Sequence, residues 1–454
     1  MRLSEAINGT MNHSLRNIPK RVNLLVVFVI LAGLNSLRAQ GFDPGLANQL
    51  QAKIDSIRVA NNVKGMSVCI IHPKQGLWTG VSGISKPGTP ISDKMIFGIG
   101  SNTKLFTGVL LLKLVENKLL DLDDPIGKFL PRIQYVDSAI TVRQLLNHTS
   151  GLMDVLQVPG YNDSVMANPN RVFSTMELMR WLGPPNFQPG KGWEYCNTNY
   201  LLGGLIAENI TKRPYGKLLR DSILRPLNMD STFLDVYDSL SVAVANPWQA
   251  GVNNMGVPRK SVNSAAWSAG AMYSTSREMA QWYQSLMGGK VINPSSMKEL
   301  TTFVGSGNYG IGIAKSTING KTIWYHGGTI WGGYNSSMMY DPSSQSVVCV
   351  LINQLPAQAY QVAIQLLATL DQYATVVQRD MPRSLLLYPN PSLSSPKIHV
   401  VKEAQATVRV FDTKGQLMIE TMDSELEVSQ WPKGQYLIYL ESMYNISVQR
   451  LILN

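Results

Sequence analysis

Ser101-Asn102-Thr103-Lys104-Leu105-Phe106-Thr107-Gly108-Val109-Leu110-Leu111-Leu112-Lys113-Leu114-Val115 decides the reading of this chain. The run has no proline, opens on hydroxyl side chains and carries apolar residues at Leu105, Val109, Leu112, Leu114 and Val115. It predicts a strongly apolar helix over 101–119. Residues three apart share a helix face, so the Lys104 amine reaches the Ser101 hydroxyl. A serine hydroxyl is a weak nucleophile until a neighbour takes its proton. A buried lysine of lowered pKa does this, or holds a second base in its charged form. The helix start adds positive potential and a backbone N–H where an oxyanion would form.

Outward from that helix the elements change type twice. Residues 48–60 have helical spacing, and 63–78 and 96–99 look like strands. A helix-rich middle follows. Strands return at 311–314, 322–326, 336–340 and 347–352, before a closing helix over 357–377. Strands early, helices between and strands late predict an α+β fold, an α/β sandwich. One antiparallel sheet drawn from both ends is flanked by helices, with an all-helical lobe inserted. Residues 379–386 read as a linker. Short alternating strands from 397 onward predict a small C-terminal β-sandwich over 387–454.

Ser-x-x-Lys alone is a weak signal, and a serine at a helix start is most simply a cap. Ser295-Ser296-Met297-Lys298 and Ser394-Ser395-Pro396-Lys397 repeat the spacing, open no long apolar helix, and read as surface turns. Two further motifs give Ser101 its context. Tyr195-Cys196-Asn197 supplies a phenol that acts as a base only where a cation such as Lys104 stabilises its phenolate. Asn197 would bind a substrate amide and Lys104. His326-Gly327-Gly328 is expected at the end of a strand, its glycines letting a substrate lie along the edge near Gly328. There the Thr329 N–H would complete an oxyanion hole with that of Ser101, and His326 would present a donor to substrate. Trp331 and Tyr334 either line the pocket or pack beneath it.

With these motifs in order, the region from about 45 to 375 resembles the serine β-lactamase-related family. That family includes class C β-lactamases, D,D-carboxypeptidases, D-aminopeptidases and some esterases. Leu145-Leu146-Asn147-His148-Thr149-Ser150-Gly151-Leu152, Pro189-Gly190-Lys191-Gly192-Trp193-Glu194 and Ala269-Gly270-Ala271-Met272-Tyr273-Ser274-Thr275 also carry the likeness. The resemblance implies Ser101 as nucleophile, Lys104 and Tyr195 as the proton-transfer pair, and Asn197 and His326 as substrate binders. It makes His148 part of a structural turn. Two departures stand out: the third motif begins with His where true class C enzymes carry Lys, and Cys196 replaces a more usual Ser or Ala. The last 70 residues, opening on Leu387-Tyr388-Pro389-Asn390-Pro391, resemble the type A sorting domain of the Bacteroidetes type IX secretion system. That implies the outer-membrane secretion machinery as a partner and a secreted or cell-surface location.

Composition and the N-terminus bound the class of the chain. Of 454 residues 44% are hydrophobic and 15% charged, a balance that builds a large core. Residues 1–39 read as a signal peptide, with Lys20-Arg21 before an apolar run from Val22 to Leu34 and Ala39 at the cleavage point. That run is shorter than the about 18–20 residues of a membrane span, so no anchor is expected after processing. The leader carries +4 of the formal +10, leaving a mildly basic chain without the Lys/Arg blocks of a nucleic-acid binder. Three widely spaced cysteines and five scattered histidines form neither a disulfide framework nor a metal pattern, so no metal or other cofactor is expected. The expected substrate is a small peptide or ester, including peptidoglycan fragments. D-Ala-D-Ala carboxypeptidase action is the first expectation. Esterase or D-aminopeptidase action is the alternative, and a catalytically silent binder of peptidoglycan fragments or β-lactams is a third reading.

Overall fold

The computed structural model describes residues 42–454, apart from 169, 254–258, 331, 381–385, 393–395, 403–405 and 442–445. The expected leader at 1–39, Trp331, and Ser394-Ser395 lie outside those residues, as does most of the expected linker. The chain divides into two compact units, Met1–Thr369 and Leu370–Asn454.

The first unit is built on a seven-stranded antiparallel sheet. Its strands are β1 (Gly65–His72), β2 (Gly76–Lys86), β3 (Thr89–Pro90), β4 (Ala314–Ile318), β5 (Lys321–Ile330), β6 (Tyr334–Asp341) and β7 (Ser346–Ile352), in the spatial order β3-β2-β1-β7-β6-β5-β4. The stretch expected as a single strand over 63–78 is thus a hairpin, because Gly76 at φ 83° lets the chain turn. The seam between the two ends of the unit is β1 against β7, with Cys69 directly opposite Cys349. Both thiols are buried and free. The first late strand begins at Ala314, later than the spacing suggested.

Helices flank the sheet. The helix α1 (Pro44–Ala60) packs on β2 through Leu46, Leu50, Ile54 and Ile57, and is capped by Asp43. The central helix α2 (Thr103–Glu116) is buried from Thr103 to Leu112 and at Leu114, as its largely apolar sequence requires. It packs against α3 (Asn197–Thr211) and α4 (Arg259–Gly270). Its side chains also tie it down: Thr107 Oγ1 donates to Ser268 O at 2.6 Å, and Thr103 Oγ1 accepts from Met272 N at 3.2 Å. On the seam side, α5 (Ser276–Met287) covers β1 and β7. The helix α6 (Ala359–Asp380) begins in this unit and runs past its last residue, Thr369. Ser295–Lys298, expected as a surface turn, lies in a short helix over Pro294–Leu300, because Asn293 caps it and Pro294 sits at its first turn.

The second unit is all-β. One sheet joins Leu386–Tyr388, Lys397–Val401 and Glu425–Glu427. The other joins Leu417–Thr421, Thr407–Phe411, Gly434–Glu441 and Ile446–Leu453. Leu387, Ile398, Val400 and Leu426 from the first sheet share a core with Val408, Val410, Ile438, Leu440 and Leu451 from the second. Two sheets closing over one core make the expected small sandwich.

Candidate functional site

Ser101 does not open the α-helix. It sits in a 3-10 turn over Gly100–Asn102, and the α-helix begins at Thr103. The cause lies across the turn. A Cβ on Gly100, whose φ is 53°, would stand 2.7 Å from Thr329 N, and one on Gly328 would stand 2.0 Å from Ile99 O. Only two glycines let the turn and β5 approach so closely. Asn102 and Ser336 lock the contact: Asn102 Nδ2 donates to Ser336 Oγ at 2.8 Å, and that hydroxyl donates to Ile99 O at 2.8 Å. The approach places Thr329 beside the Ser101 turn. The His-Gly-Gly motif therefore runs inside β5, with Gly327 opposite Ser337 and Gly328 opposite Ser336, instead of ending a strand.

Lys104 is fully buried on the first turn of α2. Its Nζ lies 3.0 Å from Ser101 Oγ, 2.7 Å from Asn197 Oδ1 and 2.8 Å from Ala269 O. Three acceptors match the three protons of an ammonium. Burial nevertheless pulls its pKa down to about 7, with Asp154 acting in the opposite direction. Lys104 therefore exchanges its proton near neutrality. The same Nζ stands 4.9 Å from the centre of the Tyr195 ring. Burial raises the Tyr195 phenol above its ordinary range.

Asn197 is held from both ends. Its Oδ1 faces Lys104, and its Nδ2 donates to Asp154 Oδ2 at 2.7 Å. Asp154 also caps the short turn after it through Leu156 N, and burial raises its pKa. Neither Asp154 nor a role for Glu194 was read from the sequence. An isolated acid in an irregular loop has no period, and only the distance to Asn197 reveals it.

His326 lies in the same cluster, with both ring nitrogens engaged by the protein. Nδ1 lies 2.6 Å from Gly327 O, which can only accept, so Nδ1 carries the hydrogen. Nε2 then accepts from the Tyr309 hydroxyl at 2.8 Å. Burial, followed by Lys104, drives the imidazole pKa down to about 3, so the ring is neutral. The donor expected from His326 is thus occupied by its own backbone. Tyr334 packs against Phe97 and Tyr273, and its hydroxyl donates to Ala245 O. It is a packing residue. Burial pushes the Cys196 thiol up to about 12, which removes it from nucleophilic chemistry.

Beside this cluster opens a pocket of about 420 Å³ lined by Met153, Asp154, Gln157, Asn186, Glu194, Tyr195 and Asn197. It shares Tyr195 and Asn197 with the Ser101 cluster. Its lining has two carboxylic acids and no lysine or arginine.

The chain is similar to known proteins. Residues 49–371 match the family model described as Beta-lactamase, and residues 386–454 match the Secretion system C-terminal sorting domain. Protein flp of Staphylococcus aureus is 28% identical over 269 residues, which are 57% of this chain and 52% of that one. The chain thus spans about half the length of the curated relatives it matches first. A D-stereospecific amidohydrolase from Streptomyces sp. superposes with a TM-score of 0.61 at 28% identity, over 71% of this chain and 98% of its own. The D-amino acid amidase from Ochrobactrum anthropi SV3 gives a TM-score of 0.64 at 25% identity, over 73% and 99%. This chain belongs to the beta-lactamase family and carries a secretion-system C-terminal sorting domain at its end.

Proposed function

We propose that this protein is an exported serine hydrolase that forms an acyl-enzyme at Ser101 and cleaves amides of D-configured residues bearing a free ammonium group. In its neutral form Lys104 takes the Ser101 proton as Oγ attacks the substrate carbonyl carbon. The tetrahedral oxyanion is held by the N–H groups of Ser101 and Thr329. Lys104 and Tyr195 pass the proton to the leaving nitrogen as the C–N bond breaks. Water then attacks the ester carbonyl and gives a proton to the Lys104–Tyr195 pair, and that proton passes to Ser101 Oγ as the acyl C–O bond breaks and the acid leaves.

The charge of the pocket carries the substrate assignment. Asp154 and Glu194 beside Tyr195 suit an ammonium. A C-terminal carboxylate, as in D-Ala-D-Ala, would need a cation, and His326 is neutral with both nitrogens engaged. This moves D,D-carboxypeptidase action, the first expectation from sequence, to second place. The likeness to D-stereospecific and D-amino acid amidases supports D configuration. The sorting domain supports export, with release or surface attachment afterwards.

The test compares D-alanine amide, its N-acetyl derivative and an N-acetylated D-Ala-D-Ala peptide. The proposal expects kcat/KM to fall by about 10–100-fold on acetylation, which removes the ammonium that the two acids face. Faster turnover of the acetylated peptide would restore the carboxypeptidase reading.

A further inference from the structure

One residue grips the chain on both sides of Tyr195. The main-chain oxygen of His148 accepts from Glu194 N at 3.1 Å. Its Nδ1 accepts from Cys196 N at 3.2 Å and from Asn199 Nδ2 at 3.1 Å. Between those two anchors, its ring stands 4.5 Å from the Tyr195 ring, tilted by 42°. The flanking residues extend the cradle. Trp193 Nε1 donates to Asn147 O at 2.9 Å, and Ser150 Oγ donates to Asn199 Oδ1 at 2.6 Å.

This arrangement is costly. His148 adopts φ 64°, a left-handed conformation uncommon for a residue with a Cβ. It is fully buried, and its Nε2 has no hydrogen-bond partner among the described residues. With Nδ1 accepting, the ring hydrogen sits on Nε2, and that unpaired N–H is a buried polar group a plain hydrophobic residue would avoid. What the imidazole gives in return is an acceptor at Nδ1, aimed at the peptide that follows Tyr195.

We propose that His148 is a positioning residue that sets the Tyr195 hydroxyl against Ser101 by holding the Glu194 and Cys196 peptide groups. It does not touch Ser101. The inference rests on the Ser101 acyl-enzyme reading. Misplacement of a catalytic group by about 1 Å costs on the order of 100-fold in rate, so a small shift of the 194–196 backbone is enough to be read in kcat.

The experiment uses the full chain with His148→Asn, His148→Gln and His148→Phe. Asparagine places an acceptor where Nδ1 stands and tolerates left-handed φ. Glutamine carries its acceptor one methylene too far, and phenylalanine keeps the ring without an acceptor. Active sites are counted by fluorophosphonate labelling, and kcat is expressed per labelled site, so misfolded protein does not enter the rate. The expected result is about 10–100-fold lower kcat for the Gln and Phe variants at nearly constant KM, with the Asn variant within about fivefold of wild type. Amide hydrogen exchange over 194–197 should speed up in the Gln and Phe variants and not in Asn. Equal kcat per site in Asn, Gln and wild type would overturn the inference, whether or not the Phe variant folds. Absence of Ser101 labelling in the wild type would instead overturn the acyl-enzyme reading, while the exchange measurement still decides the role of His148.

Discussion

In the first compact unit, an ionisable lysine side chain lies inside the protein, with every proton of its charged form matched to an acceptor. In the second, Lys397 pairs with Glu425, and Arg409 with Glu420 and Glu441, all on the outside of two small sheets. The contrast separates two uses of charge. A buried amine is destabilised, its pKa moves towards neutrality, and it becomes a base the reaction can use. Exposed pairs, screened by water, add little to stability. They lie outside the core of small strands, where charge suits a module that is recognised, not one that reacts.

Substitutions can break or sharpen that contrast. The largest expected effect is at Ser101. Ser101→Ala should lower kcat by about 10⁴-fold or more, the scale seen when a covalent nucleophile is lost, with the fold intact by circular dichroism. Next comes Lys104→Met, which replaces the amine by an apolar side chain of similar length. Turnover should fall by about 10³-fold, while the melting temperature holds or rises because the cost of burying an amine is gone. Asp154→Asn should lower kcat/KM by about 10–100-fold on a free-ammonium amide, with a smaller effect on its N-acetyl counterpart. Ile438→Ala, in the core of the second unit, should cost that unit about 2–5 kcal/mol in denaturant unfolding and leave turnover unchanged. A loss of activity with Ile438→Ala would show that the two units do not divide their work as proposed.

The parts of the site read from sequence are those whose spacing is a local rule. Ser101 and Lys104 meet because residues three apart meet on any helical turn, 3-10 or α. The apolar run after them demanded a buried helix, and α2 is one. Tyr195 and Asn197 meet Lys104 because they lie just before and at the start of α3, which packs on α2. Features that depend on distant partners stayed hidden. Asp154 matters through Asn197, and Tyr309 engages the nitrogen of His326 from a loop 17 residues away. The 3-10 turn at Ser101 follows from the close approach of Gly100 to Thr329, a contact between opposite ends of the unit. His326 shows the limit most directly. Its residue type promised a donor, and only the hydrogen bonds around it show that both nitrogens are already engaged.

The pH dependence of Ser101 acylation by a fluorophosphonate, followed by intact mass on the full chain, tests the central claim. If neutral Lys104 is the base, the rate should rise with pH through a midpoint near the lysine's pKa of about 7 and level off above it, as its ammonium loses the proton. The Ser101→Ala chain should stay unlabelled throughout. A rate independent of pH between 5 and 9, or a label carried by the Ser101→Ala chain, would contradict the account.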